Sequence, residues 1–226
     1  MAEREIILDT ETTGLRPDEG HRLVEIGCIE LINHVPTGRI YHAYVNPERP
    51  MPAEAFAVHG LSDDFLRDKP LFGAVVDEFL EFVGDVPVIA HNARFDMGFV
   101  NAELTRIKRS LLAPPRVIDT ADMARRKFPG SPASLDALCK RFNIDNSSRT
   151  KHGALLDAEL LAEVYIELIG GRQTSLDIAA GGTVVIEETT VVVQSWPDRV
   201  FAASDEERAA HAEFVQKLKE PIWLLP

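Results

Sequence analysis

The chain has 226 residues and a formal net charge of −12, with 45% hydrophobic and 27% charged residues. That length suffices for one well-filled domain plus a tail, or for two small domains. The acidic balance excludes a protein that grips duplex nucleic acid through a broad basic surface, because such binding draws on counterion release at many Lys and Arg contacts. No apolar run approaches a membrane span, and the charged opening Met1-Ala2-Glu3-Arg4-Glu5 is unlike a signal peptide. A cytoplasmic protein with no membrane partner is therefore expected. Cys28 and Cys139 lie in unrelated apolar stretches without ligand-type spacing, which reads as two buried thiols in a reducing compartment.

Ile6-Ile7-Leu8 is a continuous apolar run and predicts a buried central strand ending at Asp9-Thr10-Glu11. After breaks at Thr13-Gly14 and Pro17 to Gly20, Leu23 to Ile32 and Arg39 to Val45 predict two more strands, joined through Pro36 to Gly38. Residues 53–84 have helical character, with an apolar stripe of Val75, Phe79, Leu80 and Val83. Val86 to Ala90 is a short strand, followed by a helix from Phe95 to Arg109. Val117-Ile118 is another strand with a helix behind it. Further helices cover Leu135 to Phe142 and Ala154 to Ile169, the last stopped by Gly170-Gly171. Three strands followed by alternating strands and helices describe an α/β fold, a mixed sheet flanked by helices. Open sheets of this kind place ligands at strand carboxyl ends, where Asp9 and Glu11 fall.

Side chains alternate along a strand, so Asp9 and Glu11 project from one face. Two carboxylates side by side at a buried strand end repel each other, which a divalent cation would relieve. Asp96 and Asp157 complete a set of hard oxygen donors with a single nearby histidine, His152, and no cysteine. That set favours Mg²⁺ or Mn²⁺ over zinc, and two-metal phosphoryl transfer as the reaction class. His152 lies five residues before Asp157, in the loop or first turn ahead of the helix, and its near-neutral pKa suits a general base for water. Asp119 is expected to cap the following helix; His91 and Asp122 are expected to be structural.

Asp9-x-Glu11-Thr12-Thr13-Gly14, His91-Asn92-x-x-Phe95-Asp96 and His152-x-x-x-x-Asp157 resemble the three exonuclease motifs of the DEDDh, or DnaQ-like, 3′–5′ exonucleases. The resemblance implies a ribonuclease H-like fold. It further implies two divalent cations held by Asp9, Glu11, Asp96 and Asp157, with His152 activating water. Glu54 and His59, in Glu54-Ala-Phe-Ala-Val-His59-Gly60, would contact the terminal nucleotide together with Thr12, Asn92 and Phe95.

From Gln173 the texture changes. Gln173-Thr-Ser-Leu176-Asp-Ile178 resembles a sliding-clamp-binding peptide, with Gln173, Leu176 and Ile178 as its contacts, although Ile178 replaces the usual aromatic or Leu. A linker-like Ala179-Ala180-Gly181-Gly182 follows, then a β-branched stretch from Thr183 to Val193. The capping box Ser204-x-x-Glu207 opens a helix to about Lys219, whose stripe of Ala210, Phe214 and Leu218 has no core within the tail. The stretch Phe201 to His211 resembles the polymerase-binding tail of bacterial proofreading subunits, implying contacts from Phe201, Ala210, Phe214 and Leu218. The resulting expectation is an exonuclease domain at 1–172, a linker with the clamp peptide at 173–182 and a polymerase-binding tail at 183–226. The implied partners are the catalytic (alpha) subunit of DNA polymerase III, the sliding clamp (beta), a small theta-like subunit and a DNA 3′ end. Two other readings stand beside this one: a stand-alone DEDDh RNA exonuclease, which would carry the same catalytic set, and a non-catalytic adaptor between polymerase and clamp, which would not need it.

Overall fold

The computed structural model describes residues 3–147, 149, 151–170 and 203–217. The chain divides into two units, Met1–Asp177 and Ile178–Pro226. In the first, β1 (Arg4–Thr12), β2 (Leu23–Ile32) and β3 (Val35–Tyr44) precede the helices α1 (Ala53–His59), α2 (Asp63–Leu66) and α3 (Phe72–Val83). Then come β4 (Val88–Ala90), α4 (Arg94–Arg106), β5 (Val117–Asp119), α5 (Thr120–Lys127), α6 (Leu135–Phe142) and α7 (Ala154–Leu168). The five strands form one sheet in the order β3-β2-β1-β4-β5. β1 runs antiparallel to β2 and parallel to β4, so the sheet is mixed, as expected.

Alternation along β1 divides the interior into two cores. Ile6 and Leu8 pack with Phe72 and Phe79 of α3 and with Phe99 and Val100 of α4. Ile7 packs on the other side with Leu138 of α6 and Leu161 and Val164 of α7. Every one of these side chains is essentially removed from water, and burying each contributes about 1.5–3 kcal/mol. Cys28 and Cys139 are both buried and unpaired, one in each core.

Two expectations are corrected. The β2–β3 turn lies at Asn33-His34 rather than Pro36 to Gly38, and both residues take positive φ (50° and 63°). Two successive left-handed residues give the twist a tight hairpin needs, and Asn tolerates them. Pro36 therefore sits inside β3, which tolerates it as an edge strand beside an irregularity in the ladder. The helical stretch 53–84 is three helices: Gly60, at φ 76°, ends α1, and Pro70 precedes α3. The buried face of α3 includes Val76 and Phe82, with Val75 and Leu80 only partly covered.

In the second unit, α8 (Asp205–Gln216) begins with both hydrogen bonds of the Ser204–Glu207 capping box in place. Ala210 and Phe214 are exposed and Val215 is buried. Gln173, Leu176, Ile178, Phe201 and Leu218, and the stretch Thr183 to Val193, lie outside the described residues.

Candidate active site

The carboxyl end of β1 presents Asp9 and Glu11 on the face that Ile7 shares with α7, and Thr10 on the face toward α4. α7 can lie close there because Gly27 of β2, paired with Asp9 of β1, has no side chain. A Cβ at Gly27 would stand 2.4 Å from the Ala154 carbonyl carbon. The close approach delivers Asp157, one turn into α7 and 3% exposed, to the strand end. From the opposite face, Thr10 Oγ1 donates to Asp96 Oδ1 at 2.7 Å and fixes that buried carboxylate. Asn92, at φ 61°, makes the sharp turn from β4 into α4. The turn is held by Asp119, which accepts from the backbone N–H groups of Asn92 (3.1 Å) and Ala93 (2.9 Å) while also capping α5.

Asp9, Glu11, Asn92, Phe95, Asp96, His152 and Asp157 thus line one cavity of about 290 Å³. A second cavity of about 410 Å³ adjoins it through Glu11 and Phe95 and is lined by Thr12, Leu15, Glu54, Val58 and His59. All the residues expected to touch catalyst or terminal nucleotide fall in these two spaces. His91 also faces the first cavity, while its Nδ1 contacts Thr120 Oγ1 at 2.9 Å, a structural tie. His59 is buried, its Nδ1 accepting from the Leu61 N–H at 3.0 Å and its Nε2 lacking a hydrogen bond of ordinary geometry.

The electrostatics are those of acids short of a counter-charge. Burial, then the charges of Asp96, Asp157 and Glu11, push Asp9 well above the usual carboxylate range. Glu11 is raised to about 8 by burial and then by Asp157, Glu25 and Asp96. Burial raises Asp96 to about 7 against the help of Thr10. Glu25, directly across the ladder from Glu11, was not singled out from the sequence; it is buried, pairs with His42 Nε2 at 2.7 Å and leaves Oε2 without a partner. Ligand atoms of Glu11, His152 and Asp157 lie within 4.8 Å of one another. Oxygen-rich, crowded and resisting ionisation, this donor set fits a hard divalent cation.

One cation is already present, and sequence reasoning missed it. Arg149 donates to both Asp157 oxygens at 2.6 Å, from Nε and Nη2, and to Asp136 at 2.6 Å from Nη1. Its Nη2 also approaches His152 Nδ1 at 2.7 Å. Burial opposes the charge on Arg149, but the hydrogen bonds and charges of Asp157 and Asp136 more than restore it.

Comparison with known proteins agrees with this geometry. A family model described as Exonuclease matches residues 6–165. The chain is 52% identical to DNA polymerase III subunit epsilon of Rickettsia conorii over 221 residues, covering 95% of this chain and 96% of that one. It is 45% identical to the subunit of the same name from Escherichia coli K12, covering 95% and 94%. Among solved structures, exonuclease X in complex with 5′ overhanging duplex DNA superposes with a TM-score of 0.58 at 27% identity, covering 73% of this chain and 90% of that one. With motif, fold and full-length similarity in agreement, the chain belongs to the exonuclease family of the DNA polymerase III epsilon subunits.

Proposed function

We propose that the protein is the proofreading 3′–5′ exonuclease of a bacterial DNA polymerase III, hydrolysing the terminal phosphodiester and releasing 5′-mononucleotides. The observation that carries this is the convergence of Asp9, Glu11, Asp96, His152 and Asp157 on one cavity that opens into a second, more apolar one. Asp9, Glu11, Asp96 and Asp157 are the residues that would hold two divalent cations, Mg²⁺ or Mn²⁺. Such cations supply Lewis acidity toward the attacking water and the departing 3′ oxygen. The second cavity receives the terminal nucleotide, with Leu15 and Phe95 offering apolar faces and Glu54, His59 and Thr12 the polar contacts. His152, half-exposed at the cavity mouth, takes the proton of the attacking water. The neutral imidazole has one lone pair, and it must face the water at that moment.

Selection of mispaired ends needs no reading of bases. A frayed end enters the nucleotide cavity at a lower unstacking cost than a paired one, a difference of a few kcal/mol. An acidic protein suits that task if other subunits hold the duplex. The alpha subunit on the 183–226 tail, through Phe201, Ala210, Phe214 and Leu218, and the beta clamp on Gln173, Leu176 and Ile178 would do so, with a theta-like subunit as a further partner. The setting is the cytoplasm; among the described residues no helix is long and apolar enough to cross a membrane.

Mg²⁺-dependent digestion of a mispaired DNA primer, a paired primer and an RNA oligonucleotide tests the reading. Faster removal of the mispaired end, stimulated by alpha subunit only when the tail is present, is the expected result. Preference for RNA with indifference to polymerase would replace it with the RNA-processing alternative.

A further inference from the structure

We propose that Arg149 is a displaceable internal counter-ion that holds Asp157 and His152 out of use until a divalent cation takes Asp157 from it. The inference rests on the metal-site reading given above and makes Arg149 a positioning residue, acting through the two groups it holds.

The contacts are specific enough to carry this. The Arg149 fork lies on both oxygens of Asp157 at 2.6 Å, so one lone pair on each oxygen is already engaged. Both side chains are nearly removed from water, at 8% and 4% exposure, so this is a desolvated pair and not a surface one. His152 Nδ1 stands 2.7 Å from Arg149 Nη2, which can only donate, and 3.1 Å from Asp157 Oδ2, which can only accept; we take the shorter contact, with Nδ1 as acceptor. The neutral ring then carries its proton on Nε2 and has no lone pair left for water. One side chain therefore withholds a metal ligand and the base together. Its charge also offsets the mutual repulsion that Asp9 and Glu11 feel.

A divalent cation on these oxygens would stand beside the guanidinium, and like charges at about 4 Å repel, which favours departure of the side chain. Asp136 gives the departing side chain somewhere to go. It already accepts from Nη1 at 2.6 Å and is 62% exposed, an anchor toward solvent that holds no place among the four candidate ligands. Release of Arg149 frees Asp157 for the metal and the Nδ1 lone pair for the water proton at the same moment. The enzyme then hydrolyses only when loaded, and its acidic cluster stays partly neutralised when empty.

The test uses the full chain and the metal alone. In ¹⁵N-labelled protein, the Arg149 Nε–H signal should be sharp and exchange-protected in EDTA. It should shift or vanish over the same Mg²⁺ concentrations that move the Asp157 amide. In parallel, Mn²⁺ affinity read by electron paramagnetic resonance should tighten about ten-fold in Arg149→Ala, equivalent to about 1.4 kcal/mol. Arg149→Lys, which keeps the charge and loses the fork, should fall between. An Arg149 signal unmoved while the Asp157 amide reports saturation overturns the proposal. So does an Arg149→Ala affinity equal to or weaker than wild type, or an Arg149→Lys affinity equal to wild type. Wild-type protein that binds no Mn²⁺ would remove the metal-site reading itself, and this inference with it. Should Arg149→Ala fail to fold, the wild-type titration decides alone.

Discussion

The two ends of the β1–β2 pair bury acids under opposite conditions. At one end Glu30 is covered but receives Arg4 Nε at 2.6 Å, Arg39 Nη1 at 2.8 Å and Thr37 Oγ1 at 2.8 Å. Burial pushes its pKa up, yet the hydrogen bonds from Arg4 and Thr37 and the charges of Arg4 and Arg39 bring it below the ordinary value. Its neighbour Glu5 likewise accepts from Tyr165 at 2.6 Å and meets His34 at 2.6 Å. At the other end Glu11 is also buried, faces Glu25 across the ladder, and rises to about 8. The same fold evidently can satisfy a buried carboxylate, so leaving a cluster of them short of counter-charge marks where an external cation belongs.

That contrast is broken most sharply by exchanging one residue at each end, an acid at one and the partner of an acid at the other. Asp9→Asn should lower kcat/KM by on the order of 10³ or more, because removing a proposed metal ligand would forfeit several kcal/mol of transition-state stabilisation. In EDTA at pH 8 the same variant should melt higher than wild type, since a repelling charge has gone. Arg4→Met should do the reverse, leaving hydrolysis intact and costing about 2 kcal/mol as the buried Glu30 loses a charged partner. Denaturant melts beside initial rates would check both. A less stable Asp9→Asn would mean that Asp9 is a structural acid like Glu30.

The pH dependence of the metal-free protein sharpens the same point. Glu11 at about 8 and Asp96 at about 7 in the folded chain ionise near 4.5 and 3.8 when unfolded. Raised folded values mean that the native state holds protons the unfolded state has shed, so this contribution is present below about pH 4 and lost as pH climbs toward 8. Melting temperature in EDTA should therefore fall between pH 5 and pH 8. Saturating Mg²⁺ should flatten the fall, with proton release on binding that calorimetry in buffers of different ionisation enthalpy can count. A flat profile in EDTA would show that the cluster is neutralised without metal.

Much of this was legible in the sequence because it depends on short periodicities. β2 and α6 fall at Leu23–Ile32 and Leu135–Phe142 as expected, and the alternation that places Asp9 and Glu11 on one face is a property of any strand. What stayed hidden depends on who meets whom across the fold. Arg149 stands in a polar loop where nothing local distinguishes it from Lys151; its meaning appears only when α7 brings Asp157 beneath it. Thr10 bonds Asp96 across 86 residues, and Glu25 matters because register sets it opposite Glu11. Gly27 did leave a trace, since an isolated glycine within a strand marks a close backbone approach. Gly27→Ala places its methyl against the backbone of Ala154 and Leu155, which cannot yield as a side-chain tip would. It should cost about 1–3 kcal/mol and also depress hydrolysis, because α7 carries Asp157 away from Asp9.

The smallest predicted effect concerns a third kind of acid, one satisfied by backbone alone. Asp119 accepts from the N–H groups of Ala121 (2.9 Å) and Asp122 (3.3 Å) at the start of α5, and from Asn92 and Ala93 at the start of α4. Among the described residues no Lys or Arg pairs with it as Arg4 does with Glu30; oriented N–H dipoles face it instead, while its charge is one of those that raise Asp96. Asp119→Ala should cost about 1 kcal/mol as a lost cap. Its effect on hydrolysis should be modest and should enter through kcat, since Asn92 loses a restraint on its left-handed turn and Asp96 sits four residues beyond it. Asp119→Asn keeps acceptor oxygen at the cap and should recover most of the stability. Equal loss of rate in both variants would mean that the charge of Asp119, and not its hydrogen bonds, is what the neighbouring cluster feels.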